Sequence, residues 1–316
     1  MSADSSHEKS LGGHRPPLQK IVLGSRGSEL ARTQTALVVA ELKKSWPQVE
    51  IVTEIISTRG DIGSAEPLSL RAGRKGLFTG EIERALAARE IDLAVHSAKD
   101  LPSEMTAGLA LGAVLPRASV DDVMISKVAG ELRGKVATGS VRRRHQFRWK
   151  FPRVEIVDLR GNVPTRLRKF VASEWQAIVL ARAGLERLGF DIKAGSFEFE
   201  GISLRVEPLA TDDFLPAGGQ GIIALQVRAD DDQAMVRAVN DGGTFSCLQA
   251  EREFLRLLQG DCGSPIGVLA TISGSIMTMR AQVFEPPRVE PRTARVEGDA
   301  SKPEELAREL WGALNA

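Results

Sequence analysis

From Lys20 onward, apolar and polar positions follow two alternating periods. IVLG (21–24) is a short, partly β-branched run that ends at Gly24, which predicts a buried strand. SELARTQTALVVAELKK (28–44) repeats its apolar positions at helical spacing. It predicts a helix with Leu30, Leu37, Val38 and Leu42 on one face and Ser28 as N-cap. VEIVTEII (49–56) reads as a strand, TGEIERALAAREI (79–91) as a helix and DLAVHS (92–97) as a strand. This cadence predicts a mostly parallel sheet.

The cadence restarts after Pro116. KVATGS, SVRRRHQFRWK, VEIVDLRG, NVPTRLRKFVAS, QAIVLA and RAGLERLG give strand then helix three times over residues 135–189. The Gly-rich FLPAGGQG (214–221) marks a break before the strand IIALQV (222–227). From about Asp241 a helix, two β-rich runs and a C-terminal helix (302–315) suggest a small α+β domain. The expected division is a mobile polar tail (1–18), a discontinuous α/β domain (19–116 and 218–240), a second α/β domain (117–217) and an α+β domain (241–316).

Composition narrows the function classes. With 42 Lys+Arg against 41 Asp+Glu the net charge is +1, which argues against a general nucleic-acid or membrane-surface binder. Aromatics make up 5% and tyrosine is absent, leaving little for base stacking. No stretch approaches the roughly 18 apolar residues of a membrane span, and MSADSSHEKSLGGHRPP lacks the apolar core of a secretory signal. The expectation is a cytoplasmic protein with neither nucleic-acid nor membrane partners. Cys247 and Cys262, with 4 scattered histidines, are too few for a disulfide framework or a zinc site, so no metal is expected.

The candidate chemistry lies at strand ends, where α/β units bind ligands beside helix N-termini. GSRGS (24–28), TGSVRRR (138–144) and LRGNVPTR (159–166) each combine Gly, a hydroxyl or amide, and arginine. Arginine's planar fork matches a carboxylate or phosphate in two hydrogen bonds, so the recurrence predicts a polyanionic small ligand between two lobes. Each junction alone also fits a helix cap with a solvated arginine. Three consecutive positions, Arg142–Arg144, cannot all face one way on a helix, so at most two serve one ligand. In AVHSAKDLP (94–102) an apolar strand runs into His, Ser, Lys and Asp. Asp100 there fits a carboxylate held against a developing cation, a proton shuttle, or a turn cap. His96 reads as a packed residue. QGDCGSPIG (259–267) places Cys262 in a Gly-rich loop, open to a ligand or else filling a small buried apolar place, and a neighbouring Asp261 would tend to raise its thiol pKa.

Taken together, TRGD (58–61), GRKGLF (73–78), DLAVHSAKDLP (92–102), TGSVRRR (138–144), LRGNVPTR (159–166), LPAGGQG (215–221) and GDCGSPIG (260–267) occur in the order and spacing of the porphobilinogen deaminases, also called hydroxymethylbilane synthases. The similarity runs from about residue 20 to the C-terminus and thins after residue 285. It implies an α/β fold of two periplasmic-binding-protein-like domains plus a smaller α+β domain carrying the cofactor cysteine. It implies a monomer that joins four porphobilinogen molecules head to tail with loss of ammonia, then releases the chain by hydrolysis. Dipyrromethane would be attached by thioether to Cys262, and Asp100 would be the catalytic carboxylate. By the same resemblance, Asp61, Ser97, Lys99, Thr138, Ser140, Arg142, Arg143 and Gly161 bind cofactor. Arg26, Ser28, Gln34, Lys75, Arg160, Arg166 and Arg187 bind substrate.

The sequence departs from the family in three places. Gly139 stands where serine is frequent, Arg71 where lysine is frequent, and Asp261 turns the commoner Gly-Gly-Cys into Gly-Asp-Cys. A reading from another class is a non-catalytic two-lobed anion-binding protein, since the same pair of α/β units serves solute binders. The third domain and Cys262 discriminate between the two.

Overall fold

A computed structural model describes residues 20–58, 79–231, 233–260 and 263–316. The expected N-terminal tail, Asp61, Arg71, Lys75, Asp261 and Cys262 lie outside the described residues.

The first unit runs β1 (Lys20–Ser25), α1 (Glu29–Ser45), β2 (Glu50–Ile55), α2 (Gly80–Ala87), β3 (Leu93–Ser97), a 3-10 turn (Ala98–Asp100) and β4 (Leu109–Val114). The chain then crosses into β5 (Asp122–Ser126), β6 (Lys135–Ala137), α3 (Val141–Lys150), β7 (Glu155–Val157), α4 (Val163–Val171), β8 (Ala177–Ala181), α5 (Arg182–Arg187), β9 (Ser196–Phe199) and β10 (Ile202–Pro208). It returns as β11 (Ile223–Arg228) and α6 (Ala234–Arg237). A third unit follows: α7 (Gly242–Leu257), β12 (Ile266–Ser273), β13 (Ile276–Val283), β14 (Arg292–Asp299) and α8 (Pro303–Asn315).

The first sheet has the order β2-β1-β3-β11-β4, and the second β7-β6-β8-β5-β10-β9. The first is mostly parallel, as expected, since β1, β2, β3 and β4 run the same way, but each sheet also contains reversed strands that the cadence does not predict. β1 pairs parallel with β2 and β3, but β11 pairs antiparallel with β3 and β4. β5 likewise lies antiparallel to β8 and β10. The cause is an exchange of strands: β5 leaves the first unit to enter the second sheet, and β11 comes back to enter the first. Two crossing segments, 115–121 and 209–222, therefore join the units, and both sheets point the ends of their parallel strands toward them.

Helix α1 begins where Ser28 Oγ accepts from Ala31 N–H (3.3 Å), and it buries Gln34, Thr35, Val38 and Leu42 at i, i+3 and i, i+4 spacing. Leu37 falls off that stripe and is 42% exposed, correcting its expected place on the buried face. α2 stops at Ala87, short of residue 91, because Arg89 takes a left-handed φ of 62°. Burying Leu23, Val38 and Leu42 against the first sheet stabilises it by about 1.5–3 kcal/mol each. The third unit is an antiparallel meander, β12-β13-β14, with Phe254 of α7 and Leu310 of α8 packed on Met277 and Met279. Among the described residues no helix is long and apolar enough to cross a membrane.

Candidate active site

The end of β3 rests on a buried polar chain. His96 Nε2 lies 3.1 Å from Gln226 Oε1, Gln226 Nε2 donates to Glu83 Oε1 (3.0 Å), and Thr106 Oγ1 donates to Glu83 Oε2 (2.8 Å). Burial pushes His96 down to about 4, so it is neutral at pH 7 and packs rather than titrates. Ser97 and Gln34 hydrogen-bond through their side chains at 2.9–3.0 Å. Beyond them the 3-10 turn presents Lys99 and Asp100. Asp100 Oδ2 is 3.7 Å from Arg26 Nη1, and its side chain keeps 32% of its exposure. That combination leaves a carboxylate oriented by a cation yet open to a ligand. Lys99 Nζ is 3.5 Å from Gln220 Oε1, and burial together with Arg143 pushes it down to about 8.

In the second unit, Thr138 Oγ1 accepts from Ser140 N–H (3.3 Å) and Ser140 Oγ caps α3 through Arg143 N–H (3.4 Å). A hydroxyl that accepts in this way still has its own proton to donate to an anion, and Ser28 is placed alike. A side chain at Gly139 would meet Leu159 O at 2.5 Å, so glycine lets the strand end run against the 159–161 loop. Arg142 and Arg143 turn inward. Asp122, fully buried, receives Arg142 Nη2 at 2.9 Å on Oδ2 and Arg143 Nη2 at 2.7 Å on Oδ1, with Gln220 Nε2 at 2.8 Å. Burial alone would raise the Asp122 carboxyl, but the two guanidiniums hold it well below the usual carboxylate range. Arg142 also donates to Leu215 O (2.7 Å) and Arg143 to Val179 O (3.0 Å). Arg144 faces outward, 3.6 Å from Asp158.

The remaining arginines ring the same strand ends. Arg160 Nε holds Asp158 at 2.7 Å, and Arg166 Nε donates to the Gly161 carbonyl at 2.7 Å. Burial, with Arg143 nearby, pushes Arg166 down to about 10 against the opposing pull of Asp100. Arg187 Nη2 donates to Gly221 O (2.6 Å) on the returning crossover. There Gly219 takes φ +74°, and a side chain on it would sit 3.0 Å from Ala98 and Lys99. The crossover is thus pressed directly on the turn that bears Asp100.

A pocket with about 520 Å³ of empty space, open to solvent, lies where the three units meet. Lys99, Ser140, Arg142 and Arg252 line it, as do Gly260 and Ser264, which flank positions 261–262 in sequence. Lys99 comes from the first unit, Arg142 from the second and Arg252 from the third. Cations and hydroxyls beside apolar Leu101, Leu255 and Ile266 fit a ligand that has both carboxylates and flat rings, such as a dipyrromethane. Sequence reasoning misses Asp122, Gln220, Glu251 and Arg252. A polar or acidic residue inside an apolar run, as Asp122 beside VMI and Glu251 within α7, was the available signal.

Residues 21–236 match the family described as porphobilinogen deaminase, dipyromethane cofactor binding domain, and residues 245–315 match its C-terminal domain. A porphobilinogen deaminase of Moorella thermoacetica is 40% identical over 304 residues, covering 94% of this chain and 93% of the relative. One of Roseiflexus sp. is 40% identical over 272 residues, covering 84% and 86%. A probable porphobilinogen deaminase of Nitrosopumilus maritimus is 39% identical over 272 residues, covering 84% and 83%. With both family domains matched in order and relatives alike over most of their length, the chain belongs to the porphobilinogen deaminase family.

Proposed function

We propose that this chain joins four porphobilinogen molecules head to tail and releases the linear tetrapyrrole hydroxymethylbilane by hydrolysis. In each joining, the aminomethyl C–N bond breaks and a C–C bond forms to the next pyrrole. Nitrogen leaves as ammonia, and the displaced ring proton passes to a base. One observation carries the reading: Asp100, partly exposed at the end of β3, stands beside a cationic pocket whose wall includes the neighbours of Cys262.

When bound, by thioether to Cys262, dipyrromethane would supply the pyrrole end on which the chain is built. Lys99, Arg142 and Arg143 would hold its carboxylates as cations. Ser97, Thr138 and Ser140 offer hydroxyl donors, and Asp61 and Gly161 complete the set. Arg26, Ser28, Gln34, Lys75, Arg160, Arg166 and Arg187 take the acetate and propionate of incoming substrate. Asp100 stabilises positive charge as ammonia departs and as the pyrrole nitrogens become electron-poor. A fixed carboxylate in that role contributes about 3–4 kcal/mol of transition-state stabilisation. Arg26 orients that carboxylate without burying it.

The division at residues 116–117, 217–218 and 240–241, a monomeric state and a cytoplasmic location complete the reading. Its test is stoichiometric: purified chain given porphobilinogen should release four ammonia per tetrapyrrole, over many turnovers. Binding of porphobilinogen with no ammonia released would favour the non-catalytic anion-binding alternative.

A further inference from the structure

Arg252 lies on the helix that leads into the cysteine loop, in the third unit, and none of the strand-end motifs contains it. Its Nη2 donates to Ser103 O (3.1 Å) and contacts Met105 Sδ (3.0 Å). Among the described residues no carboxylate lies within ion-pair distance of it, while Arg142 and Arg143 share Asp122 and Arg117 has Glu251. Arg252 lines the pocket together with Lys99 and Arg142. Burial pushes it down to about 10, with Glu83 pulling weakly the other way, as for a cation withdrawn from water. A protein keeps such a group where an anion arrives later, since an unpaired buried charge is costly. Nη2 is engaged on the 103–105 loop, while Nε and Nη1 make no hydrogen bond to the described residues and are not sealed from solvent.

We infer that Arg252 is a third carboxylate clamp of the pocket, taking an acetate or propionate of a pyrrole ring from the side of the cysteine-bearing unit. This rests on the proposed function. It also gives the pocket one cation from each unit, so that a bound polyanion ties all three together. The carboxylate belongs either to the resident dipyrromethane or to incoming porphobilinogen, and two readouts separate these sources.

Parent, Arg252→Met and Arg252→Lys are prepared without and with porphobilinogen supply, and the thermal midpoint of each form is measured together with KM and kcat. The expected result is that Arg252→Met loses at least half of the midpoint gain on cofactor loading, or raises KM at least tenfold, with Arg252→Lys retaining most of both. Loss of the gain assigns a cofactor carboxylate, and a rise in KM assigns a substrate carboxylate. If Arg252→Met lowers the midpoint of the unloaded form but leaves the gain and KM as in the parent, the residue only ties down Ser103 and Met105 and the inference is wrong. Should Arg252→Met not fold, Arg252→Gln makes the same comparison. A parent that neither gains cofactor mass nor consumes porphobilinogen would instead overturn the proposed function, an outcome visible before any variant is made.

Discussion

Arg117 and Glu251 meet fork to fork, Nη1 to Oε1 at 2.6 Å and Nη2 to Oε2 at 3.2 Å, with the Glu251 side chain fully buried. Arg117 sits on the outgoing crossover and Glu251 on α7 of the third unit. Around them Arg117 Nε reaches Gln220 O (2.9 Å), while Glu251 accepts from Gly219 N–H (2.6 Å) and Ala270 N–H (2.8 Å). One ion pair therefore gathers both crossovers, the third sheet and its helix. Removing one partner leaves a buried charge uncompensated. Arg117→Met should cost about 3–5 kcal/mol in chemical denaturation. A loss under about 1 kcal/mol would mean the pair contributes little to holding the units together.

Asp122 stands in the same relation to Arg142 and Arg143. Asp122→Asn would leave two buried guanidiniums facing a neutral amide, so a loss of about 3–5 kcal/mol is expected, with cofactor loading reduced because Arg142 is no longer fixed at the pocket. Urea denaturation and intact mass of the same preparation check the two effects. Full loading at parental stability would show that Asp122 does not position the arginines.

Several of these relationships were legible from sequence, and others were not, for a definable reason. Strand ends and helix caps are local: Ser28, Ser140 and the HSAKD turn lie within a few residues of the pattern that announces them. The limit that at most two of Arg142–Arg144 share a ligand also follows from helical geometry, and Arg144 does face away. What the local pattern cannot show is where a charge finds its counter-charge. The arginines of TGSVRRR and LRGNVPTR suggest free carboxylate forks, yet Asp122 takes Arg142 and Arg143, and Asp158 takes Arg160. Asp122 lies 20 and 21 residues before its partners and Glu251 lies 134 residues after Arg117, so only the folded chain pairs them. The antiparallel β5 and β11 escaped for the same reason, since strand exchange between units leaves no periodic trace.

Lys99 makes the unloaded site sensitive to pH. Its folded value is about 8 against an ordinary 10.5, so between those values the unfolded chain holds a proton that the folded chain has released. Stability of the unloaded protein should therefore rise as pH increases from about 8 to 10.5. Carboxylates bound beside Lys99 favour its charged form, so the gain in midpoint on cofactor loading should shrink over the same range. Thermal melts of both forms from pH 7 to 10 test this, and Lys99→Met should flatten the difference. A loading gain that does not change with pH would place the carboxylates away from Lys99.

Asp100→Asn keeps shape and hydrogen bonding but removes the charge that opposes a developing cation. Turnover should fall at least a hundredfold, corresponding to about 3 kcal/mol, with porphobilinogen binding retained. Single-turnover kinetics on loaded enzyme separate the two. A kcat within a few-fold of the parent would remove Asp100 from the chemistry.

The most direct test of the account is the intact mass of the purified 34.1 kDa chain after expression with porphobilinogen available. The account predicts a chain heavier by two porphobilinogen units less two ammonia molecules, with the increment absent in Cys262→Ala. An unmodified parent, or an increment that persists in Cys262→Ala, would contradict it.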